Sequence, residues 1–390
     1  MFNLPRQVWL LTACFALMSS VGSLAGLVAG IIGAKLAPTA DLATLPVALF
    51  VIGLATMALP AGQLGMLYGR KRVFIGFTAL SVVSALFASW SLTQSSFIGF
   101  CVANFLMGGS MAAVHQYRFA AIEAVAPAQI PLATSTLMLG GIVAAVLGPE
   151  LGLLGQHWLT TEFAGSFLLL AIVFAISAVI MSRHRNTQTR LHAQVSPPLS
   201  LEDIISSPVL VLAIGSAAIG YGIMTFVMTA TPISMHNHFG HSLTDAKTVI
   251  QIHMAAMFLP SLISGWLLNR IGFRMMFWIG LAAYLCCLIV ALSDTQFFNF
   301  WVALLLLGVG WNFLYVGGTA LLPLGYKRSQ GLRAQAINDF IIFSCQAVGA
   351  LSSGWFLFHW QWRGILLACL PVLAIYAILL LRSRGFSRVS

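Results

Sequence analysis

Ionisable side chains are so few in this 390-residue chain that each one inside an apolar run calls for a chemical role. Arg118 closes the string His115-Gln116-Tyr117-Arg118. Facing a central cavity, its guanidinium would bind an anionic group of a ligand or a carboxylate partner, with His115 and Tyr117 as neighbouring hydrogen-bonding groups. The plainer alternative has Arg118 reaching the aqueous interface along its own stem, or pairing with Glu123. Glu150 directly follows Pro149. A carboxylate there could take up and release a proton, or simply sit in solvent at the mouth of a cavity. Asp339, preceded by Asn338, could be a gate partner for Lys327, Arg328 and Arg333 or for Arg118, a coupling acid, or an interfacial helix cap.

Neutral polar groups add to this set. Asn312, Tyr315 and Thr319 share one helical face, and Gln346 lies deep in an apolar run; they could line a cavity or bond neighbouring helices to one another. His236, His238 and His241 have a spacing that could hold a metal, with His253 further on. No Cys or carboxylate completes a ligand set, so no metal is expected. The six cysteines all lie in apolar runs and read as small packing residues. Serine elbows, phosphate loops and zinc-binding helix patterns are absent from the sequence, and no cofactor is implied. Binding and proton exchange are the chemistry on offer, which argues against an enzyme.

These residues must be positioned by membrane-spanning elements. Hydrophobic residues make up 59% of the chain and charged residues 7%, against roughly 45–50% and about 25% in soluble domains. A soluble core cannot hide that much apolar surface, whereas a bilayer solvates it. The net charge of +10 could suggest nucleic acid. Counted from an inside N-terminus, however, fifteen of the nineteen Lys and Arg fall on one side, and only Lys35, Lys247 and Arg363 on the other. That is the positive-inside bias of a membrane protein. No nucleic-acid partner is expected. The first apolar run is too long for a cleaved signal and reads as a span.

Apolar runs of about 20 residues give the spans. Six are expected at about Val8–Ala34, Leu42–Leu67, Val73–Leu92, Phe97–Ala124, Ala133–Leu154 and Phe163–Met181. Six more are expected at about Val209–Ser234, Ala246–Leu268, Met275–Leu292, Phe298–Leu324, Gln335–Phe358 and Gly364–Leu381. The fold class is an all-α membrane protein of twelve helices with both termini cytoplasmic. Its domains are residues 1–182, a cytoplasmic linker at 183–207 that ends in a short helix, and residues 208–390.

The two halves carry a repeated mark. Gly62 to Val73 reads G-Q-L-G-M-L-Y-G-R-K-R-V, and Gly265 to Arg274 reads G-W-L-L-N-R-I-G-F-R. Both fit G-x-L-x-x-x-x-G-x-R, at an offset of 203 residues, which marks an internal duplication. Two six-helix halves, a basic linker and this turn between spans two and three resemble the major facilitator superfamily of secondary transporters. The resemblance implies an inward gate at the turn, built on Arg70, Lys71 and Arg72 and on Arg270 in the second copy. The family places an acid where this chain has Met66, followed by Leu67, and the second copy has Asn269 and Arg270. The latch would then depend on the three cations meeting helix C-termini or another carboxylate, such as Asp339 or Glu123; alternatively the cations only anchor topology. Gly140-Gly141 and Gly148-Pro149-Glu150-Leu151-Gly152 resemble the family's glycine-proline motif of exporters. The arginine that the family often carries in span four is replaced by Asn104, ahead of Gly108 and Gly109.

The expected function is secondary transport of a small organic, anionic molecule by alternating access, coupled to protons through Glu150 or Asp339, in a monomer in a bacterial-type inner membrane. Export by antiport is placed ahead of import of a nutrient or metal chelate. A membrane enzyme lacks its nucleophile and base, and a non-transporting sensor is the remaining rival.

Overall fold

Backbone polar groups find no water in hydrocarbon, so apolar runs of this length must satisfy them internally as helices. The computed structural model describes residues 4–126, 129–184, 201–326 and 330–383, and among these it is all helical. The first half contains α1 (Arg6–Leu36), α2 (Leu45–Tyr68), α3 (Arg70–Thr93), α4 (Phe97–His115), the short α5 (Tyr117–Glu123), α6 (Ile130–Leu154) and α7 (Ala164–Ser182). The second contains the short α8 (Leu201–Ser206), then α9 (Pro208–Ile233), α10 (Leu243–Phe258), α11 (Ser261–Ser293), α12 (Phe297–Leu321) and α13 (Gly331–Arg382). Eleven stretches of the described chain are long and apolar enough to cross a membrane.

The breaks differ from the apolar runs in three places, each with a local cause. Span four is not one helix: α4 stops at His115 and α5 resumes after Gln116. Span eight is interrupted at Leu259 and Pro260, because proline has no N–H to continue the helical ladder. Helix α13 has 52 residues, which at 1.5 Å per residue far exceeds a bilayer of about 30 Å. It is two helical segments meeting at Gln361, whose φ of 55° and ψ of −168° are non-helical. Most of the expected linker lies outside the described residues.

The repeated glycine mark has a repeated conformation. Gly69, between α2 and α3, has φ 83° and ψ 142°. Its counterpart Gly272, within α11, has φ 76° and ψ 167°. Only glycine occupies this region readily, so the second glycine of the frame reverses the chain at the same point of both copies.

Packing repeats as well. Helix α1 packs on α6 as α9 packs on α13, and α2 packs on α4 as α10 packs on α12. Between the halves, α2 meets α13 and α6 meets α10, while α1 meets α9. Small residues set these distances. A side chain at Gly108 would run into the Phe50 carbonyl of α2. The glycine-proline stretch of α6 lies on α1, with Gly140 over Thr12 and Gly148 over Ser20 and Ser23. Ser23 Oγ fastens the same contact by donating to the Ala144 carbonyl at 2.6 Å.

Candidate functional site

The junction between the halves carries an ion pair. Arg118 on α5 donates from Nη2 to Asp339 Oδ2 on α13 at 3.3 Å, with the two side chains 24% and 29% exposed. Asn338 Nδ2 donates to the other carboxylate oxygen at 3.1 Å, which holds Asp339 in place. The break at Gln116 is what lets α5 turn Arg118 toward the second half.

An aromatic box adjoins this pair. The Tyr221 and Tyr315 hydroxyls lie within electrostatic reach of the Arg118 guanidinium. Tyr221, on α9, meets Trp311 edge-on at 5.1 Å, Tyr315 at 5.0 Å and Phe343 at 6.2 Å. Trp311 and Tyr315, one turn apart on α12, stack at 4.9 Å, and Phe258 of α10 closes on Trp311 at 6.3 Å. From the first half His115 approaches the Phe343 ring at 5.8 Å. Aromatic rings from α9, α10, α12 and α13 thus form one contiguous cluster that the half-buried ion pair borders. Such a box can stack a planar ring and hydrogen-bond its polar substituents.

Among the residues expected from sequence, Arg118, Asp339, His115 and Tyr315 come together here. Gln346 follows on the Asp339 face of α13, two turns along. Tyr117 points the other way: it is buried against Phe74 of α3 at 4.7 Å, within the first half. Asn312 is buried in a polar knot at the break between α10 and α11. Its Nδ2 donates to the Met257 carbonyl at 2.8 Å and to Ser261 Oγ at 2.6 Å, and its Oδ1 accepts from Ser264 at 2.8 Å. It stitches helices together where Pro260 interrupts them.

Glu150 lies at the far end of the junction from the basic turn. Lys247 of α10 donates to it at 2.9 Å and Gln251 at 3.2 Å, so α6 and α10 are bridged across the halves. At the same end Thr44 Oγ1 accepts from the Gly354 amide of α13 at 3.1 Å.

At the basic turn, Arg70 Nη1 donates to the Gln116 carbonyl at 3.4 Å. The Gln116 side chain lies over Gly62 and Gly65, the first two glycines of the mark, whose missing side chains leave room for it. The cationic turn therefore grips the break in span four. Lys71 is partly buried and Arg72 exposed. Arg270 is exposed and lies over the Trp266 ring of its own helix at 5.3 Å. The side chains of Met66, Asn269, Glu123 and Arg333, as well as Lys327 and Arg328, lie outside the described residues. His236 and His241 are engaged with the carbonyls of His241 and Thr295, at 3.0 and 2.8 Å. Among the described residues no group of three or more His, Cys, Asp or Glu could hold a metal.

The helical packing repeated on either side of this site has known relatives. The family model described as Major Facilitator Superfamily matches residues 8–230 and 210–388. The chain belongs to the Major Facilitator Superfamily. It is therefore a multi-pass membrane transporter and not an enzyme. Within that superfamily it is 33% identical to a riboflavin transporter, RfnT, of Brucella anthropi, over 96% of this chain and 94% of that protein. It is 30% identical to an uncharacterized MFS-type transporter, YdeG, of Bacillus subtilis, over 85% of this chain and 82% of the other. The crystal structure of the human organic anion transporter MFSD10 (TETRAN) shares the superfamily fold at a TM-score of 0.68 and 14% identity, covering 96% of this chain and 99% of that one.

Sequence reading missed Tyr221, Trp311, Phe343 and Phe258, because an aromatic residue in a run apolar on all faces gives no signal of direction. Lys247 did have a signal. It is one of three cations expected on the sparsely charged side, where Glu150 also lies.

Proposed function

We propose that this transporter carries riboflavin or a closely related flavin into the cell, by alternating access between two halves of six spans each. In this reading α13 comprises two spans folded back at Gln361, giving twelve in all, with both termini cytoplasmic. The observation that carries the substrate is the box of Tyr221, Trp311, Tyr315 and Phe343 at the junction of the halves. Its stacked and edge-on faces suit a planar tricyclic ring, and the Arg118–Asp339 pair beside it suits a polyhydroxylated chain. The riboflavin transporter of Brucella anthropi, similar along nearly the whole chain, supports the same substrate.

The inward direction is part of this proposal and replaces the export by antiport placed first on the sequence alone. The glycine-proline stretch of α6 packs closely on α1, a contact that suits import as well as antiport. Asp339 is the carboxylate we assign to proton coupling, since a proton there would release Arg118 and loosen the junction. The Glu150–Lys247 bridge closes the opposite end, and the unit acts as a monomer.

Proteoliposomes with an imposed pH gradient test this. Lumenal riboflavin should accumulate when the outside is acidic, and Asp339→Asn should abolish that accumulation while riboflavin counterflow persists. Folded protein that moves no riboflavin under either condition would sink the substrate, and gradient-independent accumulation would sink the coupling.

A further inference from the structure

The aromatic box contains polar atoms that stacking does not use. On α13, Asp339, Phe343 and Gln346 follow one helical face at steps of four and three residues. The Phe343 ring lies against Tyr221, and Tyr221 lies against Trp311. Along this connected surface two side-chain atoms are buried with no hydrogen-bond partner among the described residues: the indole Nε1 of Trp311 and the amide Oε1 of Gln346. One is an obligate donor and the other an acceptor. Leaving both unpaired out of water disfavours the empty folded state, and a ligand that satisfies both recovers that loss. Trp311 is 4% exposed, so water does not serve it in bulk.

A donor and an acceptor set beside aromatic walls complement a particular ring edge. The pyrimidine-dione edge of a flavin presents carbonyl, N–H, carbonyl in the plane of the ring. A ring stacked on a face of this cluster leaves that edge to meet side chains of α12 and α13. We propose that Trp311 and Gln346 read this imide edge, with Trp311 Nε1–H donating to a ring carbonyl and the Gln346 amide oxygen accepting from the ring N–H. The assignment rests on the flavin reading above and narrows it to rings whose imide nitrogen carries hydrogen. It makes Gln346 the residue that selects for that hydrogen and Trp311 both wall and donor.

N3-methylriboflavin supplies the discriminating probe, because it keeps the ring and both carbonyls and lacks only the imide hydrogen. Riboflavin and its N3-methyl analogue are titrated into purified full-length protein in detergent, and quenching of flavin fluorescence by the stacked aromatics reads binding. Wild type should prefer riboflavin on the order of tenfold, the loss expected for one hydrogen bond to a buried group. Gln346→Leu should bind the two ligands within about twofold of each other, having lost the group that distinguishes them. Trp311→Phe, which preserves a stacking face, should weaken both ligands and keep their ratio. Equal binding of the two ligands by wild type overturns the proposal without any variant, as does an unchanged preference in folded Gln346→Leu. Absence of riboflavin binding by wild type overturns the flavin reading instead, so the two failures are distinct.

Discussion

The costs of removing Arg118 and Asp339 singly should add up to more than the cost of removing both together. At 3.3 Å the two charges attract by about 5 kcal/mol for an effective dielectric of about 20. Desolvation of both groups offsets much of that, since each is less than a third exposed. Arg118→Leu leaves the carboxylate of Asp339 in place with Asn338 as its neighbour, and Asp339→Leu leaves the guanidinium; each should destabilise by about 3 kcal/mol. The double variant leaves neither charge behind. It should cost about 4 kcal/mol in total, so the coupling between the sites is about 2 kcal/mol. Any other contact of either residue cancels in the cycle. Reversible unfolding of the purified protein by SDS in mixed micelles, followed by tryptophan fluorescence, gives the four free energies. Additivity within about 0.5 kcal/mol would refute the pair as an energetic link between the halves.

Two further outcomes follow from the scaffold. Gly108→Ala should destabilise by at least about 2 kcal/mol, because its new methyl meets the Phe50 carbonyl, which belongs to a helix and cannot yield; Gly76→Ala, with open space around it, should cost nothing in the same unfolding assay. His184, past the end of α7, has its pKa lowered by burial and by the nearby Lys71 and Arg70. The unfolded chain then binds a proton more readily, so this contribution is complete above about pH 6.5 and is lost as pH falls below it. The difference in stability between wild type and His184→Gln should accordingly shrink between pH 7.5 and 5.5; a constant difference would contradict the assignment.

The large features of this fold were legible because they are one-dimensional. Run lengths gave an all-helical, multi-pass membrane fold, and the glycine frame marked matching backbone turns at Gly69 and Gly272. What the sequence withheld is rotation about each helix axis. Tyr117 and Arg118 are adjacent, and a helical step of about 100° sends one into the first half and the other to the junction. Asn312 and Trp311 divide in the same way, one into a helix-stitching knot and the other into the aromatic box. Charged residues stood out against the apolar background, so Arg118 and Asp339, which meet at the junction, could be singled out. Aromatic residues were part of that background, so most of the box was not.

The basic turn shows how such a reading changes once rotation is known. Sequence alone made Met66 look like a gap where a gate acid should be. The structure gives the turn a different local purpose: Gly62 and Gly65 make room for the Gln116 side chain, and Arg70 holds the Gln116 carbonyl. Gln116 is the break between α4 and α5, and two residues on Arg118 reaches Asp339 of the other half. The turn, the break and the inter-half pair are therefore mechanically continuous. A shift of α2 against α3 at Gly69 would pull on Gln116 and move the guanidinium that touches Asp339. Asp339, 221 residues from Arg118 along the chain and on the far side of the junction, thereby connects the turn to the aromatic cluster.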